Sequence, residues 1–319
     1  MTGHAGPRII YLGGLGRSGT TLIERMLNEL PGIRSMGEVT HLWQRGVSAG
    51  ERCGCGAPFH DCEFWRQVGE LAFGGWDLLN VDHLTALQRR VDRTRHIPAL
   101  ARSHRRAAFQ QALDEYLSYY LRLYQAIEKA SGCQVVVDSS KHASLAFCLR
   151  AAPALDLRVV HVIRDSRAVA YSWSRQVPRP DATGQSYMTV YDARTAAVQW
   201  NAQNVALHWL ARLGVPVLRV RYEDFVRDPE QGVRDIAAFI GIGILPGALQ
   251  FIRGGAADRW GELGPAHTAS GNPMRFESGQ IPIRPDVRWE TALPARHWRL
   301  VTALTLPLLT RYGYVKWVR

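Results

Sequence analysis

The chain has 319 residues, 46% hydrophobic and 21% charged, the composition of a folded globular protein and not of a disordered or fibrous one. Its formal net charge of +11 suits an anionic ligand, yet no nucleic-acid-binding motif accompanies it, so no nucleic-acid partner is expected. No apolar run reaches about 18 residues, which predicts no membrane span, and the opening MTGHAGPR lacks an apolar leader, which points to a cytoplasmic protein.

Arg8-Ile9-Ile10-Tyr11-Leu12 reads as a strand feeding a loop that contains Gly13, Gly14, Gly16 and Gly19. Leu22, Ile23, Met26, Leu27 and Leu30 then recur at helical spacing. Strand, glycine loop and helix together make an anion site. The glycines let the backbone approach a phosphate, and the first N–H groups of the helix point at it. Gly14 and Gly19 have the spacing of a Walker A loop, but Thr20 stands where the lysine belongs, and the loop's cation is Arg17. The hydroxyls Ser18, Thr20 and Thr21 remain. This combination points to a phosphorylated or sulfated nucleotide other than ATP·Mg²⁺. The competing reading is a plain helix start capped by Thr20-Thr21.

Ile33 to Glu38 reads as a second short extended segment. The run Cys53-Gly-Cys55-Gly-Ala-Pro-Phe-His60-Asp-Cys62 follows. Three thiols plus His60 form an acceptable zinc set, but the Cys-x-Cys spacing is tight and no second cysteine pair lies nearby. Thiols that are free or transiently bridged in a reducing compartment are the expectation. A helix is expected near Phe64 to Phe73. Residues 78–130 read as a helical insertion, with a stripe at Leu113, Leu117, Tyr120, Leu121, Tyr124 and Ile127.

Gln134 to Val137 reads as a strand ending at Asp138-Ser139-Ser140-Lys141-His142. Arg158 to Ile163 is another, followed by Arg164-Asp165 and a helix through Ser172. Val217 to Tyr222 is a fourth. Strands alternating with helices predict one α/β domain over 1–319, a P-loop-like parallel sheet with helices on both faces. Ligands bind such sheets at the carboxyl ends of the strands, where Arg17, Lys141, Arg164 and Tyr222 fall. The Gly- and Pro-rich residues 243–288 read as an irregular segment that closes over the ligand as a lid. The last helix is expected at Ala295 to Leu309.

Taken together, these motifs resemble the sulfotransferases that use 3′-phosphoadenosine 5′-phosphosulfate (PAPS). Gly16-Arg17-Ser18-Gly19-Thr20-Thr21 resembles their 5′-phosphosulfate loop, and Arg164 with Ser172 their 3′-phosphate motif. The Cys53-Gly-Cys55-Gly run, Arg221-Tyr222-Glu223-Asp224 and Gly271-Asn272-Pro273-Met274-Arg275-Phe276 resemble a large bacterial branch. The resemblance implies PAPS as sulfate donor, PAP as product, no metal requirement, and a small-molecule, carbohydrate or lipid hydroxyl as acceptor. Arg17 would hold the phosphosulfate. Arg164 and Ser172 would hold the 3′-phosphate, with Tyr222 nearby and Arg275 a weaker candidate to close over it.

Glu38 is the expected base, because Gly37-Glu38 matches a Gly-Glu pair of the tyrosylprotein branch; His41 and His142 compete for the role. Lys141 matches the strand-end lysine that assists departure of the bridging oxygen. The histidine that cytosolic aryl sulfotransferases carry two residues later is replaced here by Ala143. Residues 78–130 and Val177 to Tyr191, with the aromatics Trp173, Tyr187, Tyr191 and Trp200, would shape the acceptor cavity. Other readings are a P-loop kinase, which Thr20 argues against, and a non-catalytic nucleotide-binding protein.

Overall fold

β1 (Arg8–Gly13) lies at the centre of a five-stranded sheet, and its alternating residues divide the interior into two layers. Ile9 and Tyr11 face one core and Ile10 and Leu12 the other. A strand covered on both sides needs apolar residues at every position, which is why RIIYLG shows no polar alternation. The structure, a computed structural model, describes residues 6–181, 186–255 and 257–315. The opening MTGHA and part of the expected acceptor-cavity segment 177–191 lie outside them.

The other strands are β2 (Ile33–Ser35), β3 (Val135–Lys141), β4 (Asp156–Ile163) and β5 (Val217–Arg221). Their order is β2-β3-β1-β4-β5, and every neighbouring pair is parallel. The expected helix-covered parallel sheet is therefore the fold.

One face carries α1 (Thr20–Asn28) and, later in the chain, α9 (Tyr222–Arg227) and α10 (Pro229–Ile240). The other carries the insertion: α2 (Glu63–Phe73), α3 (Val81–Val91), the short α4 (Ile97–Leu100) and the long α5 (Ala107–Ser131). Along α5, Leu113, Tyr116, Leu117, Tyr120, Leu123, Tyr124 and Ile127 are buried at helical spacing. α6 (Ala143–Leu149), α7 (Ser166–Trp173) and α8 (Ala193–Arg212) follow the central strands. α11 (Trp289–Ala292) and α12 (Ala295–Arg311) end the described chain. None of the described helices is long and apolar enough to cross a membrane.

Residues 243–288, expected to be irregular, contain some regular structure. Three short strands within them, β6 (Ile252–Arg253), β7 (Trp260–Leu263) and β8 (Gly279–Pro282), pair as an antiparallel sheet, with Ile252, Leu263 and Ile281 in the core. Strands of two to four residues are too short for a period of two to show in the sequence.

Candidate active site

The loop after β1 is shaped by two close approaches. Gly19 caps α1 at φ 91°, and a β-carbon there would lie 2.1 Å from Tyr222 Cδ2. At Gly16 a β-carbon would lie 2.8 Å from Trp173, whose indole N–H donates to the Gly16 carbonyl at 2.8 Å. No side chain caps α1, so the capping alternative for Thr20-Thr21 is not what the fold uses. The Leu22 and Ile23 amides donate to the Gly19 carbonyl, whereas those of Thr20 and Thr21 could receive an anion.

Arg17 itself is left-handed at φ 72°, and its Nε and Nη2 are buried without a hydrogen-bond partner among the described residues. Buried guanidinium donors are costly to leave unpaired, and these two could receive an anion. Arg164 leaves the end of β4, donates to the Arg17 carbonyl at 3.1 Å and lies over the Tyr222 ring at 4.8 Å. Its carboxylate neighbour Asp286 is 3.8 Å away.

Lys141 ends β3, where the pairing with β1 slips. Tyr11 pairs with Asp138, but Gly13 pairs with Lys141. The extra residue on β3 is a bulge, and Lys141 takes φ 71°. Bulges re-aim side chains, and this one directs the ammonium to Glu38 Oε1. His41 Nε2 lies 3.5 Å from the other Glu38 oxygen. Burial by itself would raise the Glu38 carboxyl, but Lys141, His41 and Arg45 together hold it at about 2. Burial pushes His41 down to about 4 despite Glu38, so its ring is neutral at pH 7. His142 is exposed, and its ring packs edge-on to His41 at 6.0 Å.

Behind this pair sits Glu24, on the buried face of α1. Its Oε1 accepts the Gly37 amide at 2.6 Å, and its Oε2 accepts the Ser139 hydroxyl at 2.7 Å. The Glu38 amide donates to the Ser270 carbonyl at 3.1 Å. Asp138 accepts both the amide and the hydroxyl of Ser140, and Tyr124 donates to it at 2.6 Å.

One cavity of about 700 Å³ joins these groups. Of the residues singled out in the sequence, Gly16, Arg17, Gly19, Thr20, Thr21, Glu38, Lys141, Arg164, Ser172 and Tyr222 line it. Ser18 does not; it is buried in the loop. Arg275 does not either. Its guanidinium is buried against Asp181 at 3.2 Å and donates to the Thr268 and Arg52 carbonyls, so it cannot close over a phosphate. Trp173, Tyr187 and Tyr191 face the cavity, whereas Trp200 is a core residue whose indole donates to the Arg164 carbonyl. The insertion contributes a polar wall of Gln88, Arg89, Asp92 and Arg93. The expectation that residues 78–130 help shape the cavity agrees with this wall; which of its side chains face inward, and the part played by Glu24, carry no signal in the sequence because a polar residue on a helix does not show what it faces.

The cysteine run also differs from expectation. His60 turns outward, with Nε2 3.0 Å from the Val47 carbonyl. His267, from far along the chain, takes the place beside Cys53, Cys55 and Cys62.

A family model described as the sulfotransferase family matches residues 7–245. The chain belongs to the sulfotransferase family. Carbohydrate sulfotransferase 3 of Homo sapiens is 25% identical over 179 residues, which are 51% of this chain and 34% of that protein. The match thus spans about a third of that curated relative's length. Among solved structures, the sulfotransferase domain from the curacin biosynthetic pathway superposes with a TM-score of 0.50 at 18% identity, covering 95% of this chain and 98% of that one. The sulfotransferase domain from the Synechococcus PCC 7002 olefin synthase gives 0.47 at 19% identity, covering 95% of each chain. The curacin-pathway likeness agrees with the fold. In this member of the family, the glycine loop and the two strand-end cations fall inside the matched residues.

Proposed function

We propose that this sulfotransferase moves the sulfuryl group of PAPS to a hydroxyl acceptor and releases PAP. The observation that carries the reading is the pairing, across one cavity, of unsatisfied Arg17 donors with the Glu38–Lys141 pair. A nucleotide with two separated anionic groups calls for two clamps. In this reading Arg17 and the α1 amides take the 5′-phosphosulfate. Arg164, Ser172 and the Tyr222 edge take the 3′-phosphate. Guanidinium forks suit both groups better than an ammonium would.

In the transfer step, the acceptor oxygen bonds to sulfur while the bond from sulfur to the bridging phosphate oxygen breaks. The acceptor proton passes to Glu38, and Lys141 with Arg17 meets the charge gathering on the departing phosphate. A carboxyl held at about 2 is a weak base, so the closed Glu38–Lys141 pair is the resting arrangement. As Lys141 turns to the bridging oxygen, Glu38 loses its strongest partner and gains basicity. The sulfuryl group carries less charge than a phosphoryl group, so the side chains supply the stabilisation in place of Mg²⁺.

The wall of Gln88, Arg89, Asp92 and Arg93 and the nearby Gln203 favour a polyhydroxylated acceptor over a lipid. The carbohydrate in the human relative's name points the same way. The test is thermal-shift titration with PAP, then transfer from labelled PAPS to sugar, phenol and lipid acceptors. Saturable stabilisation by PAP and a labelled sugar product support the reading. Absence of both PAP binding and labelled product would refute it.

A further inference from the structure

We infer that Cys53, Cys55, Cys62 and His267 form a structural zinc site, separate from the transfer chemistry, that clamps two distant parts of the chain behind Glu38. The four ligand atoms all lie within 4.8 Å of one another. Cys53 and Cys62 sulfurs are 3.7 Å apart, and Cys55 and Cys62 sulfurs 3.8 Å. His267 Nδ1 is 3.3 Å from the Cys62 sulfur and 3.9 Å from the Cys53 sulfur. Zinc bonds of about 2.3 Å to sulfur and about 2.0–2.1 Å to nitrogen give a regular tetrahedron S–S edges of about 3.8 Å and S–N edges of about 3.6 Å. The four edges Cys53–Cys62, Cys55–Cys62, Cys62–His267 and Cys53–His267 stand near those spacings, and the remaining two lie within 4.8 Å. Three thiolates and an imidazole are a closed structural set with no open position for substrate.

The surroundings suit such a centre. Cys53 and Cys62 are buried, and the His267 ring stacks on Phe64 with centroids 5.0 Å apart. Zn²⁺ with three thiolates and a neutral imidazole carries one net negative charge. Arg275, already paired with Asp181, braces the site through the backbone: its guanidinium holds the carbonyl of Arg52, next to Cys53, and that of Thr268, next to His267. The two ligand-bearing segments also meet directly, as the Gly54 amide donates to the Thr268 carbonyl at 2.9 Å. Beyond Thr268, Ala269 donates to the Met36 carbonyl and Ser270 accepts the Glu38 amide. The clamp therefore fixes the strand of chain that backs the Gly37-Glu38 turn. This arrangement differs from the expectation of free or transiently bridged thiols, which places His60 and not His267 beside them.

Metal content decides the matter without any assay of transfer. Protein expressed in zinc-supplemented medium is expected to retain one equivalent of zinc after dialysis. It should release that zinc as its thiols are titrated with an organomercurial. Cobalt exchange should give thiolate-to-metal charge transfer and the ligand-field bands of a tetrahedral site. His60→Ala should keep the full equivalent, whereas His267→Ala should weaken zinc affinity by about tenfold or more. His267→Cys, which rebuilds a four-ligand set, should keep the metal if the alanine variant misfolds. Zinc-free wild-type protein without the cobalt bands would overturn the proposal, as would a disulfide among the three cysteines or a His267→Ala variant that binds zinc as tightly as wild type.

Discussion

Glu24 holds the amide of Gly37 at 2.6 Å, so the helix that follows the glycine loop also fixes the turn that presents Glu38. Burial, the largest effect, outweighs Ser139, Lys141 and the Gly37 amide and lifts the Glu24 carboxyl from 4.5 to about 7. An acid whose pKa is raised by folding keeps in the native state a proton that the unfolded chain has lost. Stability therefore falls as pH rises from 4.5 to about 7. The fall is worth at most about 3 kcal/mol. Glu24→Gln cannot titrate, and urea unfolding across that range should show its slope removed. An unchanged slope would assign the titration elsewhere.

Glu38→Gln should lower turnover by about 10²–10⁴-fold while PAP still binds. Single-turnover transfer and calorimetric PAP titration separate the two effects. Retention of full turnover would move the base to His41 or His142.

Lys141→Met takes away the strongest of the groups that hold Glu38 down and leaves burial, so the carboxyl should climb from about 2. In the wild type the pair stabilises the fold at pH values above the ordinary 4.5, and that contribution fades as pH falls from there toward 2. In the variant the titration should shift to higher pH, which carbon NMR of the labelled Glu38 carboxyl would follow. A carboxyl that still titrates near its wild-type value would show that His41 and Arg45 suffice.

Arg164→Ala should weaken PAP binding by about 2–4 kcal/mol if the guanidinium pairs with the 3′-phosphate. Adenosine 5′-phosphosulfate, which lacks that phosphate, should bind both proteins alike. An equal loss for both nucleotides would place the effect on the Arg17 carbonyl that Arg164 also holds.

Gly19→Ala places a β-carbon 2.1 Å from the Tyr222 ring at φ 91°. The left-handed backbone alone costs about 1–2 kcal/mol, and displacing Tyr222 disturbs the Arg164 guanidinium lying on it. Thermal stability and PAP affinity should fall together. If stability falls while affinity holds, Tyr222 is no part of the nucleotide site.

The sheet was readable because parallel strands buried on both faces leave continuous apolar runs, as at Ile9 to Leu12 and Val135 to Val137. The glycine loop was readable because its spacing is local. Lys141 could be placed near a strand end, but the bulge that turns it toward Glu38 depends on register with β1, which no single segment encodes. Arg275 misled for the opposite reason. A motif match identified the residue, whereas Asp181 and two carbonyls decide where its charge goes. His267 escaped notice because more than 200 positions separate it from Cys62, and only the folded chain brings them together.

The shared family match stops at residue 245, yet Ser270, Asn272 and Met274 come later and close the site from behind or line it. Arg25 of α1 and Glu29 at its C-terminal end reach out to that later stretch, at Met274 and Gly264. A fragment trimmed at the family boundary would keep the sheet and the glycine loop but strip those partners from α1 and open the Glu38 turn to water. Such a piece is expected to lose cooperativity in unfolding, and the minimal active unit runs well past the border that homology draws.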